Sequence, residues 1–198
     1  MKKAIVPLMT LLGAVAVWGV SPSAHAQNLL TNGSFETGSF SGWTQSGNTE
    51  YTGVSCSTAH AYTAQSGSCF VYFGPIGSDN ILSQTFSDTA GGTLNVSGWL
   101  QGNGESPSDW SLSLDGTSYV SVNPIPNQGW TQYSFTAPAT GSDTFSIAFR
   151  NDPSYDAMDN FSVTEGTSTV PEPSTLALFG VGALGLLIAL RRRRRTEG

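Results

Sequence analysis

The sequence predicts an all-β chain whose exported body is an antiparallel β-sandwich. Three observations carry this. Apolar residues recur at every second position rather than at helical spacing. The breaks between such runs are rich in Gly, Pro, Asn, Ser and Thr, with 23 Gly among 198 residues. Charged residues make up only 11% of the chain, against about a quarter in an ordinary soluble domain.

The runs follow in order. Strands are expected over Leu29–Glu36, Cys69–Phe73 and Ile81–Phe86. Leu94, Val96, Gly98 and Leu100 then alternate with Thr93, Asn95, Ser97 and Trp99. Trp110, Leu112 and Leu114 form the next inward row. Asp115-Gly116 supplies a two-residue hairpin turn, and Val120 and Val122 lie on the return strand. Thr131, Tyr133 and Phe135, then Phe145, Ile147 and Phe149, and finally Phe161 and Val163 complete the pattern. Short strands separated by turn signals at roughly 8–12-residue spacing read as a sandwich. The 144 residues from Gln27 to Val170 are enough for one real core.

The two ends read differently. Lys2-Lys3, an apolar stretch from Ala4 to Val20 and Ala24-His25-Ala26 form a secretory signal peptide, 1–26, cut by signal peptidase after Ala26. The sandwich domain is expected over 27–164, a polar linker over 165–169 and a C-terminal signal over 170–198. In that signal, Val170-Pro171-Glu172-Pro173 precedes an uncharged apolar helix, 175–190, and then Arg191, Arg192, Arg193, Arg194 and Arg195. Sixteen residues are slightly short of the ~20 that span a bilayer upright. The arginines fix their flank on the cytoplasmic side, so the domain faces outwards.

Charge limits the partners. From Gln27 to Val170 there are twelve acids and one base, Arg150, a net charge of −11. Such a body cannot neutralise phosphates, which excludes nucleic acid. A neutral ligand or a metal cation suits it. Arg150 is expected to pair with a neighbouring acid such as Asp152 or Asp156. Chemistry is limited too. After signal cleavage the only histidine is His60, expected to be a surface residue without a role, and the body has no lysine. That removes Ser-His-Asp, zinc and Schiff-base arrangements. No catalytic residue is assigned, and a carboxylate pair of the glycosidase kind is the one remaining enzymatic option.

Cys56 and Cys69, the two cysteines, are both exported, and an even count in an oxidising compartment reads as one disulfide. Trp110 shares parity with Leu112 and Leu114 and belongs to the core. Trp99 shares its face with Asn95, Ser97 and Gln101, opposite Leu94, Val96 and Leu100. An aromatic ring beside amides suits a sugar, whose C–H face stacks on the ring while the amides bind its hydroxyls. Trp99, Asn95 and Gln101 are the candidate ligand residues. Asp159 shares parity with Phe161 and Val163, so it is expected to face the core and to need a partner for its charge.

Two resemblances extend this reading. Val170 to Arg195, with motif, hydrophobic segment and Arg cluster in order, resembles the PEP-CTERM sorting signal of Gram-negative bacteria that make exopolysaccharide. The resemblance implies processing by an exosortase, an inner-membrane-anchored precursor and release to the cell surface or extracellular matrix. Asn28 to Glu36 with Phe40-Ser41-Gly42-Trp43-Thr44, Gly129 to Phe135, Phe149 to Pro153 and Met158 to Val163 resemble galactose-binding-like jelly-roll domains, including many carbohydrate-binding modules. That resemblance implies an antiparallel jelly-roll β-sandwich with Trp43 and Trp130 in or at the edge of the core. It further implies a calcium ion, structural rather than required for any reaction, held by Glu36 and Asp159. Three functions remain open at this point: a non-catalytic surface protein that binds exopolysaccharide or another carbohydrate, a structural or adhesive matrix protein without sugar specificity, and a glycoside-processing enzyme.

Overall fold

Alternation decides which side of each strand is buried, and in the computed structural model, which describes residues 26–166, it holds along almost every long strand. There are ten strands: β1 (Thr44–Gly47), β2 (Thr52–Ser55), β3 (Phe70–Phe73), β4 (Asn80–Ser87), β5 (Thr93–Asn103), β6 (Ser108–Leu114), β7 (Thr117–Val122), β8 (Asn127–Pro138), β9 (Ser142–Asn151) and β10 (Asp156–Glu165). They form two five-stranded sheets, β1-β4-β9-β6-β7 and β2-β3-β10-β5-β8. All pairings are antiparallel. Among the described residues no helix is long and apolar enough to cross a membrane. The expected signal peptide, the 175–190 helix and the Arg cluster lie outside the described residues.

The inward rows are those the alternation assigns. Leu94, Val96 and Leu100 of β5 meet Trp110, Leu112 and Leu114 of β6, Phe145, Ile147 and Phe149 of β9, and Met158, Phe161 and Val163 of β10 in one buried cluster. Full burial of each such side chain is worth about 1.5–3 kcal/mol. Trp43 closes one side of it, stacked on Phe35 with ring centroids 5.6 Å apart, its Nε1 donating to the Asn32 carbonyl at 3.1 Å. The β6–β7 hairpin turns at Asp115 (φ 48°) and Gly116 (φ 75°). Two successive left-handed residues define the tight turn that Asp-Gly favours.

The first expected strand is not one. In place of a strand over Leu29–Glu36, turns occupy residues 31–34 and 36–37, because Asn32 (φ 54°) and Phe35 (φ 56°) are left-handed. Asn32 organises the turn. Its amide donates to the Ser39 and Ser41 carbonyls, and its Oδ1 accepts from Thr37 N. The segment nevertheless lies along β10, as expected of first and last elements: Leu29 N donates to the Val163 carbonyl and Phe161 N to the Gly33 carbonyl. Only glycine fits at position 33, where a Cβ would stand 2.3 Å from the Phe161 oxygen. The strands that begin the sandwich are β1 and β2, whose short polar sequences TQSG and TGVS carry no alternation to read.

A second, smaller cluster lies on the outer face of the β2-β3-β10-β5-β8 sheet. Tyr62, Phe70 and Ala157 are buried there, with Tyr72, Trp130 and Tyr155 packed around them. Trp130 therefore packs outside the sandwich core, unlike Trp43. Both clusters and both sheets lie within 26–166, so this segment carries its own core.

Cys56 and Cys69 are disulfide-bonded across 13 residues. The bond closes the loop that carries Tyr62 onto the outer face. Closing a loop of this size is worth about 3 kcal/mol. Cys56→Ser should lower the unfolding free energy of 26–166 by about that amount, measured by urea melts, while the oxidised parent shows no free thiol to a labelling reagent. Two reactive thiols without reductant would contradict the bond.

Candidate functional site

Side chains of β5, β8 and β10 that point away from the core stand in rows across the outer face. Register places Thr164, Asn95 and Thr136 in one row, Ser162, Ser97 and Ser134 in the next, Asp159, Trp99 and Gln132 in the third, and Ala157 beside Gln101 in the fourth. The first two rows line an open trough of about 430 Å³. Trp99, in the third row beside the trough and not part of its lining, is half-buried and points outwards as the parity of β5 requires. Gln132 beside it is exposed. Asn95 and Gln101 share this face but not one depression: Asn95 lines the trough, whereas Gln101 lines a second pocket beyond the third row.

Between the two depressions the 56–69 loop lies on the sheet. Its main-chain amides are taken up by two carboxylates. Glu36 accepts from Ser68 N at 2.9 Å and Cys69 N at 2.9 Å. Asp159 accepts from Gln65 N at 3.0 Å and Ser66 N at 3.5 Å through Oδ2, and from Asn160 N at 2.7 Å through Oδ1. Asp159 is fully buried, but not on the core side as the parity argument expected. A bulge between Asp159 and Ser162, with Asn160 at φ 51°, inserts one residue and reverses the alternation. Met158 and Phe161 face the core, and Asp159 faces outwards opposite Trp99, under the loop.

The electrostatics follow from burial. Desolvation pushes the Asp159 carboxyl up to about 6; three amide donors oppose this, and the Glu36 charge adds to it. The Glu36 charge thus reaches Asp159 across one loop. The hard oxygens of these two expected calcium residues suit Ca²⁺ in donor type. Among the described residues no third His, Cys, Asp or Glu joins them, so main-chain carbonyls would have to complete such a site. Asp156 is likewise pushed up to about 6 by burial, against hydrogen bonds from Asn103 N at 2.9 Å and Tyr62 Oη at 3.5 Å. It is not the partner of Arg150. That guanidinium contacts Asp109 at 3.1 Å, Asp152 at 3.5 Å and Asp79 at 3.9 Å, on the opposite sheet. His60 is not isolated: its ring stacks on Tyr155 at 3.6 Å between centroids. No periodicity in the sequence marks that contact, which joins a loop tip to the segment before β10.

The fold is that of carbohydrate-binding-module jelly rolls. It is similar to TmCBM61, solved with β-1,4-galactotriose (TM-score 0.57, 24% identity, covering 71% of this chain and 100% of that one). It is also similar to the CBM22-1 xylan-binding domain of Paenibacillus barcinonensis Xyn10C (TM-score 0.51, 17% identity, 73% and 97%). The same architecture matches 21% of the enzymatically active domain of bacteriophage CBA120 tailspike protein 4, with 70% of this chain covered (TM-score 0.53, 14% identity). Outside the sandwich, residues 169–194 match the family model of the PEP-CTERM protein-sorting motif. The chain is therefore a secreted protein with a C-terminal sorting signal behind a jelly-roll domain. A search of curated proteins found no match.

Asp156 sets a pH dependence. Its carboxyl is raised from 3.8 to about 6 in the folded state, so its favourable contribution is complete below the unfolded value and is lost as pH rises through about 6. A shift of that size corresponds to about 3 kcal/mol. With chelator present, the melting temperature of 26–166 should fall between about pH 4 and 6.5 and level off above, and Asp156→Asn should remove part of that slope. An unchanged slope in the variant would place the titration elsewhere.

Proposed function

We propose that this is an exported, non-catalytic glycan-binding protein that holds a neutral saccharide chain on the outer face of β5, β8 and β10. The single observation that carries the reading is Trp99, half-buried and outward, in the row next to a trough lined by hydroxyls and the Asn95 amide. A sugar ring laid on the indole loses its apolar C–H face from water, and the flanking groups exchange hydrogen bonds with its hydroxyls. No charged side chain lines the trough, which suits a neutral glycan. Neither depression on this face is lined by a carboxylate, so neither offers the acid pair that glycoside hydrolysis needs. The galactotriose and xylan of the structural neighbours set the first probes. A glycan array with 26–166 is expected to give binding that Trp99→Ala reduces at least tenfold without changing the melting temperature. Undiminished binding in that variant would remove Trp99 as the platform, and a blank array would favour the structural-matrix reading.

The sorting motif supports a route as well as an address. An exosortase is the processing partner, acting near Val170, Pro171, Glu172 and Pro173 and separating the domain from Arg191 to Arg195. Intact mass and N-terminal sequencing of protein from the native host should give a chain that starts at Gln27 and lacks the Arg cluster. A mature product that keeps the cluster would leave only a membrane anchor.

Calcium belongs to the same proposal. Glu36 and Asp159 would supply two of the ligands, and the ion would neutralise carboxylates that only main-chain amides now serve. Binding to the native state alone raises stability by about 2.7 kcal/mol at 100 times the dissociation constant. Melting should rise with millimolar Ca²⁺ and fall with chelator, and Glu36→Gln and Asp159→Asn should each flatten the response. Melting indifferent to both, with no metal by elemental analysis, would leave the amides as sole partners.

A further inference from the structure

The pocket beyond the 56–69 loop has a construction that the trough does not share. It measures about 520 Å³, and no charged side chain lines it. One wall is the tip of a tight hairpin. Ala59 and Tyr62 exchange both main-chain hydrogen bonds, Ala59 N to the Tyr62 carbonyl at 3.0 Å and Tyr62 N to the Ala59 carbonyl at 2.8 Å. The two residues between them, His60 (φ 49°) and Ala61 (φ 69°), are both left-handed. Asn and Gly adopt this conformation readily, and other residues at a cost. The sequence carries that cost here, which is a pattern found where a side chain must be presented.

The presentation is rigid. Tyr62 Oη donates to the Tyr155 carbonyl at 2.9 Å, fixing the hairpin to the segment before β10. The His60 ring lies on Tyr155 at 3.6 Å and 17°, with Tyr72 at 4.8 Å behind it, and remains exposed. The opposite wall is the start of β8. The Gln128 side chain turns to the core side, where its Oε1 accepts from the Tyr133 hydroxyl at 3.2 Å, so this wall presents the exposed Asn127 and Gly129. Aromatic walls, the outward Gln101 and Asn127 amides and a lining without a charged side chain suit a small, neutral, hydroxyl-rich ring.

We propose that this pocket is a second ligand site, separate from the trough, and that it takes a single neutral sugar residue such as the terminal unit of a glycan. The choice of a saccharide rests on the glycan-binding reading above; the position of the site does not. Because the 56–69 loop separates the pocket from the trough, one chain end and one chain segment can be held independently, so a single domain could bridge two glycan strands.

The test is a backbone-amide NMR titration of 26–166 with free D-galactose, D-glucose, D-mannose and D-xylose at millimolar concentrations. At least one sugar should shift the amides of His60 to Tyr62, Asn103 and Asn127 to Gly129 saturably. His60→Ala and Asn127→Ala, on opposite walls and both at exposed positions, should each weaken that response at least tenfold while the domain still melts cooperatively. Trp99→Ala should leave it unchanged. If none of the four sugars shifts these amides, or if both wall variants leave the response intact, the site does not exist. Intact trough binding with no response here overturns this proposal alone. A response here with nothing at Trp99 overturns the trough alone.

Discussion

Twelve carboxylates share one arginine in the exported body, and that arginine is occupied by Asp109, Asp152 and Asp79 on one sheet. A carboxylate buried on the other sheet must find main-chain donors instead. The fully buried Asp159 finds two in the amides of Gln65 and Ser66, and the exposed Glu36 takes those of Ser68 and Cys69. This draws the disulfide-closed loop onto the outer face of the β2-β3-β10-β5-β8 sheet. The loop brings Tyr62 over Phe70 and Ala157 and covers the β3–β10 side of the face. The strip left open is the one that carries Trp99 and the hydroxyl rows. The shape of the candidate surface is thus a consequence of where negative charge can be buried.

Much of this was legible in the sequence because period-two alternation reports burial directly. The inward rows of β5, β6 and β9 follow from Leu94, Trp110 and Phe145 and their alternate neighbours, and the outward direction of Trp99 follows from the same rule. The Asp115-Gly116 hairpin was legible because its turn type demands those residues. The failures have equally local causes. Leu29–Glu36 has a strand-like apolar pattern, but the Asn32 side chain satisfies the backbone of a turn instead. Asp159 was assigned to the wrong face because one bulged residue, Asn160, shifts parity by one, and nothing in the pattern around it announces the bulge. The contact of His60 with Tyr155 joins residues 95 positions apart and has no sequence signature.

The jelly roll itself does not decide function, since related architecture occurs both in sugar-binding modules and inside a phage enzyme. What separates the alternatives is the chemistry of the exposed faces. On the β5 side those faces offer indole, imidazole, amides and hydroxyls without a carboxylate in either depression. That inventory is the one the saccharide-binding proposal rests on. The C-terminal sorting motif is consistent with a protein whose work lies outside the membrane.

The most direct measurement is a crystal structure of residues 26–166 grown with the best oligosaccharide ligand from the array. The account predicts density for a sugar ring stacked on Trp99, with its chain running over Ser97, Ser134 and Asn95. Density on the outer face of the β1-β4-β9-β6-β7 sheet, with Trp99 bare, would contradict it.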